Sequence, residues 1–297
     1  MQAFVVGNVT IDETMFVDAL PAPGATVLGR TGPRDLGGKG ANQAIVLARA
    51  RLRTTLVAPI GDDARAAAIR QAILPEPVIA DLVEIEGVST DHSLIFRLPD
   101  GENAILSTAA AAEGLAPHEV EKRLVHASSG DRLVVQGNLS RETTAAVLAA
   151  ARRRGMVTAV NPSPVRDYFP SLWPFVDIVC LNRGEALSLT GATGPEAAAH
   201  LLARGVGQVV LTAGGEGALL ADRDGVCRVP AVAVDVVDTT GAGDTFLSVA
   251  LASAALRSGR LDRRAIEDAA RASAITVARP GTHSAFPSVS ELAGILA

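Results

Sequence analysis

The chain has 297 residues, 48% hydrophobic and 20% charged, with a mean hydropathy of +0.28. That excludes a disordered or low-complexity chain and leaves length enough for a sizeable core. Lys plus Arg total 27 against 32 Asp plus Glu, a formal net charge of −5, so no basic surplus draws the chain to nucleic acid or an anionic membrane.

In chain order, the sequence predicts strands at Ala3–Val6, Thr55–Pro59, Arg132–Val135, Val157–Val160, Ile178–Leu181 and Gln208–Leu211. Ala/Leu-rich helical patterns occupy Ala41–Ala50, Thr143–Arg154, Pro195–Ala203 and Thr245–Ala255. Alternation of this kind predicts an α/β fold, a mostly parallel sheet flanked by helices. The strands read as unbroken apolar runs, as expected when helices cover both faces. Two segments break the rhythm. One, about 11–36, carries Pro21, Pro23 and Gly24; the other, about 93–108, reads as a hairpin turning at Asp100-Gly101. Together they are expected to form a small β appendage on a single domain spanning 1–297. No interdomain linker and no internal repeat is evident.

The two cysteines, Cys180 and Cys227, lie in apolar stretches without CxxC spacing. They read as packed thiols rather than a disulfide framework. The N-terminus lacks a basic n-region and a cleavage site, and no apolar run reaches the ~20 residues of a membrane span. The expectation is a cytoplasmic protein with no membrane and no nucleic-acid partner.

The strongest local signal is Asp238-Thr-Thr-Gly-Ala-Gly-Asp-Thr-Phe246, which opens a helix at about Asp244 or Thr245. Glycines there allow the backbone to turn sharply and approach a ligand. Amides at a helix N-terminus form an anion hole suited to phosphate. A carboxylate at the same point, Asp244, makes sense as an acceptor of a hydroxyl proton, though Asp is also a common N-cap. No third glycine follows at dinucleotide-binding spacing, and nothing matches GxxxxGK[ST]. A second glycine motif, Gly37-Gly38-Lys39-Gly40-Ala41-Asn42-Gln43, also opens a helix. Asn42 offers a donor and an acceptor, as recognition of a polyol needs. Lys39 is either a ligand contact or a solvated lysine. Asp12, six residues past the first strand, is either a hydroxyl-binding carboxylate or an exposed loop residue.

These two glycine motifs, about 200 residues apart and in this order, resemble the signatures of the ribokinase-like (PfkB) carbohydrate kinases. Pro21-Ala-Pro-Gly24, Gly61-Asp62-Asp63, Asn161-Pro-Ser-Pro164, Asn182-Arg-Gly-Glu185 and Thr212-Ala-Gly-Gly-Glu-Gly217 fall in register with that family over essentially the whole chain. The resemblance implies a kinase that transfers the γ-phosphoryl group of ATP to a primary hydroxyl of a small sugar, ribose-like or a ketose. It places the general base on Asp244 and the anion hole on Gly241, Ala242 and Gly243. It places acceptor contacts on Thr10, Asp12, Gly38, Lys39, Asn42 and Asn138. Asn182 and Glu185 would organise Mg²⁺ and phosphates, Glu185 through water. Thr212, Gly214, Gly217 and Gly243 would line the nucleotide. Asp238, Thr240, Thr276, Arg279 and Gly281 would hold a monovalent cation, K⁺. The appendage would be a lid, and two lids would clasp in a homodimer.

Three departures from the ribokinase pattern bear on specificity. Thr10 stands where those kinases often carry Asn, Asn138 where they carry Glu, and Ala285, beside Ser284, where the cation loop often has Ser. The first two concern the sugar and the third the cation. A nucleoside kinase of the same family, and a catalytically silent sugar or nucleotide sensor, are the competing readings.

Overall fold

The computed structural model describes residues 1–99, 103–257 and 259–297; the expected turn at Asp100-Gly101 lies outside the described residues. Thirteen strands among them run β1 (Ala3–Val6), β2 (Thr10–Val17), β3 (Gly29–Gly37), β4 (Thr54–Ile60), β5 (Ile79–Glu84), β6 (His92–Arg97), β7 (Asn103–Ser107), β8 (Arg132–Gln136), β9 (Val157–Asn161), β10 (Ile178–Asn182), β11 (Gln208–Thr212), β12 (Ala218–Asp222) and β13 (Gly225–Val229). Nine of them form one sheet in the order β13-β12-β11-β10-β9-β8-β1-β4-β5, and four form a second, β3-β2-β6-β7. The large sheet is parallel from β11 to β5. Only β12, near one edge, runs against the others, pairing antiparallel with both β11 and β13.

Side chains alternate across a strand, so each central strand feeds two cores. Ala3 and Val5 of β1 face one cluster, with helices Lys39–Arg49, Ala242–Arg257 and Arg263–Val277. Phe4 and Val6 face the other, with helices Arg141–Arg153 and Gly194–Ala203. Every residue of β1 and β8 is buried. That explains why those strands read as unbroken apolar runs, because neither face meets water.

The six predicted strands and four predicted helices are all present, Ala3–Val6 at its predicted bounds and the others extended or trimmed by a residue or a few at their ends. The sequence reading missed β5, the antiparallel edge pair β12 and β13, and the helix Arg263–Val277. The two irregular segments do build the second sheet: β2 and β3 come from the first, β6 and β7 from the second. Within the first segment the chain turns at Gly24, whose φ of 81° lies in the left-handed region that favours glycine.

Parallel strands all end on one side, and open α/β sheets bind ligands outside those carboxyl ends. Here a polar residue stands at or just past the end of each central strand: Asn8, Asn138, Asn161, Asn182 and Thr212. No helix among the described residues is long and apolar enough to cross a membrane.

Candidate active site

Those strand ends, together with the small sheet, enclose a cavity of about 690 Å³. Asp12, Gly38, Lys39, Asn42 and Asn138 line one part of it. Asn182, Glu185, Thr212, Thr240, Gly241, Gly243 and Asp244 line another. A second cavity of about 380 Å³ shares Thr212, Thr239 and Gly243 with the first and adds Gly214, Gly217, Ala242, Phe246 and the valines 232, 234 and 236. A polar cavity therefore opens into a mostly apolar one, a shape that suits a polyol beside the flat base of a nucleotide.

Next to the shared Gly243, Asp244 lines the first cavity. The helix starts at Ala242, so Asp244 sits in its first turn rather than capping it. Its carboxylate is buried and accepts the Asn42 Nδ2 amide at 2.9 Å and the Gln43 Nε2 amide at 2.8 Å. Both amides come from the opening two turns of the helix Lys39–Arg49, 202 and 201 residues earlier in the chain. Gln43 is held in turn by Gln136 Nε2 at 2.7 Å, on the end of β8. Thus the two glycine motifs meet at one carboxylate. The amide of Ala242 is engaged by Thr239 O at 3.3 Å. The amide of Gly243 belongs to the first turn, where helical N–H groups have no intrahelical partner.

Asp12 is neither in a loop nor exposed. It lies in β2, buried, with Thr10 Oγ1 donating to its Oδ1 at 2.8 Å. Burial pushes its carboxyl above the usual value, while hydrogen bonds from Thr10 and Ser93 partly offset that. Gly37 makes the fit possible: a Cβ there would stand 2.2 Å from the Asp12 carboxyl carbon. Gly38 begins the helix with φ 92°, and its Cβ would collide with the backbone of Asn8, Val9 and Thr10. The amide oxygens Oδ1 of Asn42 and of Asn138 are buried without a hydrogen-bond partner. Two orphaned acceptors at a polar cavity call for hydroxyl donors from a ligand.

Asn182 and Glu185 form a reciprocal cap on the helix Arg183–Thr190. Asn182 Oδ1 accepts the Glu185 amide at 2.9 Å, and Glu185 Oε2 accepts the Asn182 amide at 2.9 Å. Both also face the cavity. Their oxygen donors suit a hard cation such as Mg²⁺ bound largely through water and phosphate.

The remaining predicted residues lie off the cavity. Thr10, expected as an acceptor contact, sits beneath Asp12 and holds it. Thr276 Oγ1 pairs with Thr245 Oγ1 at 2.9 Å, and the Arg279 side chain turns to Glu291. Asp238 is buried and filled. Its Oδ1 accepts the Thr240 amide at 3.0 Å and the Thr240 hydroxyl at 2.7 Å. Its Oδ2 accepts the Gly281 amide at 3.0 Å and the guanidinium of Arg97, from β6.

Sequence reasoning passed over several lining residues: Asn8, Ser93, Asn103, Asn161 and Arg166, with Gln43 behind them. Asn161 and Gln43 stood inside quoted motifs but carried no separate signal. Ser93 and Asn103 reach the cavity only because the small sheet folds over the strand ends.

The chain resembles known proteins over nearly its whole length. The bifunctional ribokinase/ribose-5-phosphate isomerase A of Fructilactobacillus sanfranciscensis is 28% identical over 291 residues, covering 95% of this chain and 54% of that relative. The chain therefore spans about half of that two-function protein. The crystal structure of ribokinase from Thermotoga maritima superposes with a TM-score of 0.89 at 25% identity, covering 100% of this chain and 99% of that one. Ribokinase from Arabidopsis thaliana complexed with ribose and ATP gives a TM-score of 0.84 at 25% identity, covering 99% and 98%. The pfkB family carbohydrate kinase pattern matches residues 2–289, and the chain belongs to that family of carbohydrate kinases.

Proposed function

We propose that this chain transfers the γ-phosphoryl group of ATP to a primary hydroxyl of a small, ribose-like sugar. The observation that carries the reading is the buried Asp244 carboxylate, set in a helix's first turn on the wall of the polar cavity, next to Gly243, which lines both that cavity and the apolar one. The sugar would lie against Asp12, Asn42 and Asn138, whose carboxylate and orphaned amide oxygens accept its hydroxyl protons. Lys39, on the same wall, supplies a cation near the transferring phosphate. The adenine would enter the valine-lined cavity beside Gly214, Gly217 and Phe246.

In the proposed reaction Asp244 takes the proton of the attacking hydroxyl. The hydroxyl oxygen bonds to the γ-phosphorus, the bond from that phosphorus to the β-bridging oxygen breaks, and ADP leaves. Asn42 and Gln43 hold Asp244 in place and keep its proton-accepting oxygens aimed. The Gly241 and Gly243 backbone and the helix N-terminus stabilise the phosphoryl oxygens as charge spreads over them. Mg²⁺, bound on the phosphates and reached from Asn182 and Glu185, would neutralise phosphate charge when present. The small sheet, closing as a lid, would exclude water and so limit wasteful hydrolysis of ATP. A pair of such lids would form a homodimer.

The test is ADP release from ATP and Mg²⁺ across pentoses, ketohexoses and nucleosides. Turnover that follows one free sugar supports the proposal. Turnover only with nucleosides assigns the site to a base-bearing acceptor, and ATP binding without turnover on any acceptor returns the silent sensor.

A further inference from the structure

The residues that family resemblance assigns to a monovalent cation do not fit one as they stand. A carboxylate offers about four lone-pair directions. All four at Asp238 are taken: Thr240 N and Oγ1 on one oxygen, Gly281 N and the Arg97 guanidinium on the other. The Asp238 side chain is 2% exposed and that of Arg97 25% exposed. A K⁺ ion would have to displace a donor, and Arg97, the one cation among them, already brings the single positive charge the ion would supply.

We infer that Arg97 is the built-in cation of this site: its guanidinium takes the place of K⁺ against Asp238 and makes the enzyme indifferent to monovalent cations. The inference rests on the kinase reading above and identifies a positioning residue for that site. Asp238 lies at the start of the loop 238–241, and that loop leads directly into Gly241, Gly243 and Asp244. Through the Gly281 amide Asp238 also gathers the loop 279–285. A positive charge at Asp238 therefore holds both segments that back the anion hole. Arg is suited to the task because its planar guanidinium stays charged and is weakly hydrated, so it is buried at lower cost than an ammonium.

The source of the charge has a mechanical consequence. A dissolved ion binds wherever the small sheet happens to be. Arg97 ends β6 of that sheet, so its charge reaches Asp238 only with the sheet in place. Ordering of the anion hole is thereby tied to closure over the acceptor.

The test compares the wild type with Arg97→Met in chlorides of K⁺, Na⁺, Cs⁺ and tetramethylammonium at constant ionic strength. Thermal unfolding is read first because it needs no acceptor. The wild-type midpoint is expected to be the same in K⁺ and tetramethylammonium; that of Arg97→Met is expected to rise in K⁺ alone. ADP release is read second. The wild type is expected to vary by less than about twofold among the salts, while Arg97→Met falls roughly tenfold or more in tetramethylammonium and recovers with K⁺. A wild type stabilised and activated by K⁺ overturns the inference, and that arm requires no variant to fold. A folded Arg97→Met that ignores K⁺ also overturns it. Absence of turnover on every acceptor, with the two unfolding patterns as expected, refutes the kinase reading and leaves the cation assignment standing.

Discussion

His283 should act as a proton-dependent rivet between the small sheet and the C-terminal loop. Its Nε2 lies 2.8 Å from Glu76 Oε1 and its Nδ1 3.6 Å from Asp35 Oδ1. The neighbouring carboxylates of Asp35 and Glu76 raise its pKa from 6.5 to about 9, although burial and the nearby Arg49 work against the charge. A raised pKa stabilises the fold fully below the unfolded value of 6.5, and that contribution fades as pH rises through about 9. The shift sets a ceiling of about 3 kcal/mol, at 1.36 kcal/mol per pKa unit. Solvent screening at this partly exposed site brings the expectation to ~1–2 kcal/mol. The perturbation is His283→Gln, which removes the titrating group and keeps polar atoms at the site. Urea unfolding of both proteins at several pH values between 6 and 10 measures it. The variant should be less stable by ~1–2 kcal/mol at the acid end, with the deficit closing above pH 9. A deficit that stays constant across the range would show that His283 contributes packing, as in its edge contact with Phe286, and would refute the electrostatic argument.

Asp244→Asn should lower kcat by ~10²–10⁴, the usual contribution of a general base. Its unfolding midpoint should barely move, because Asn42, whose Oδ1 has no partner, can turn to accept from the new amide while Gln43 still donates to its oxygen. An equally large loss of stability would mean that the carboxylate is structural. Gly37→Ala places a methyl 2.2 Å from the Asp12 carboxyl carbon; rotation of Asp12 should raise the acceptor KM roughly tenfold while the KM for ATP holds, as initial-rate kinetics would show. Because burial raises the Asp12 pKa, its hydroxyl-accepting carboxylate is lost on acidification sooner than an ordinary one. The acceptor KM should therefore begin to climb, as pH falls, before an ordinary carboxylate would protonate. A KM flat to pH 4 would remove Asp12 from the acceptor site.

The central strands were legible because their burial on both faces leaves unbroken apolar runs, as in β1 and β8. The second sheet was legible as an interruption of rhythm, although its strand order was not: β2 and β6, distant in sequence, pair in parallel. The helix Arg263–Val277 escaped because Arg and Ala dominate it, and its buried face shows only once the helix packs on Ala242–Arg257. At the site, the glycine motifs announced themselves through backbone demands that other residues cannot meet. The amide chain Gln136–Gln43–Asp244 did not, since three unremarkable polar residues acquire a role only when β8 and two helices converge. Arg97 was silent for the same reason: nothing local distinguishes it from any strand-end arginine before Asp238 is placed opposite it.

The most direct test of the central claim is to identify the phosphorylated product. Wild-type protein with ATP, Mg²⁺ and the turned-over sugar should give a phosphate ester whose phosphorus couples to two protons of a single CH₂–O carbon in ¹H–³¹P correlation spectra, absent with Asp244→Asn. Inorganic phosphate alone, or an ester on a secondary carbon, would contradict transfer to a primary hydroxyl held at Asp244.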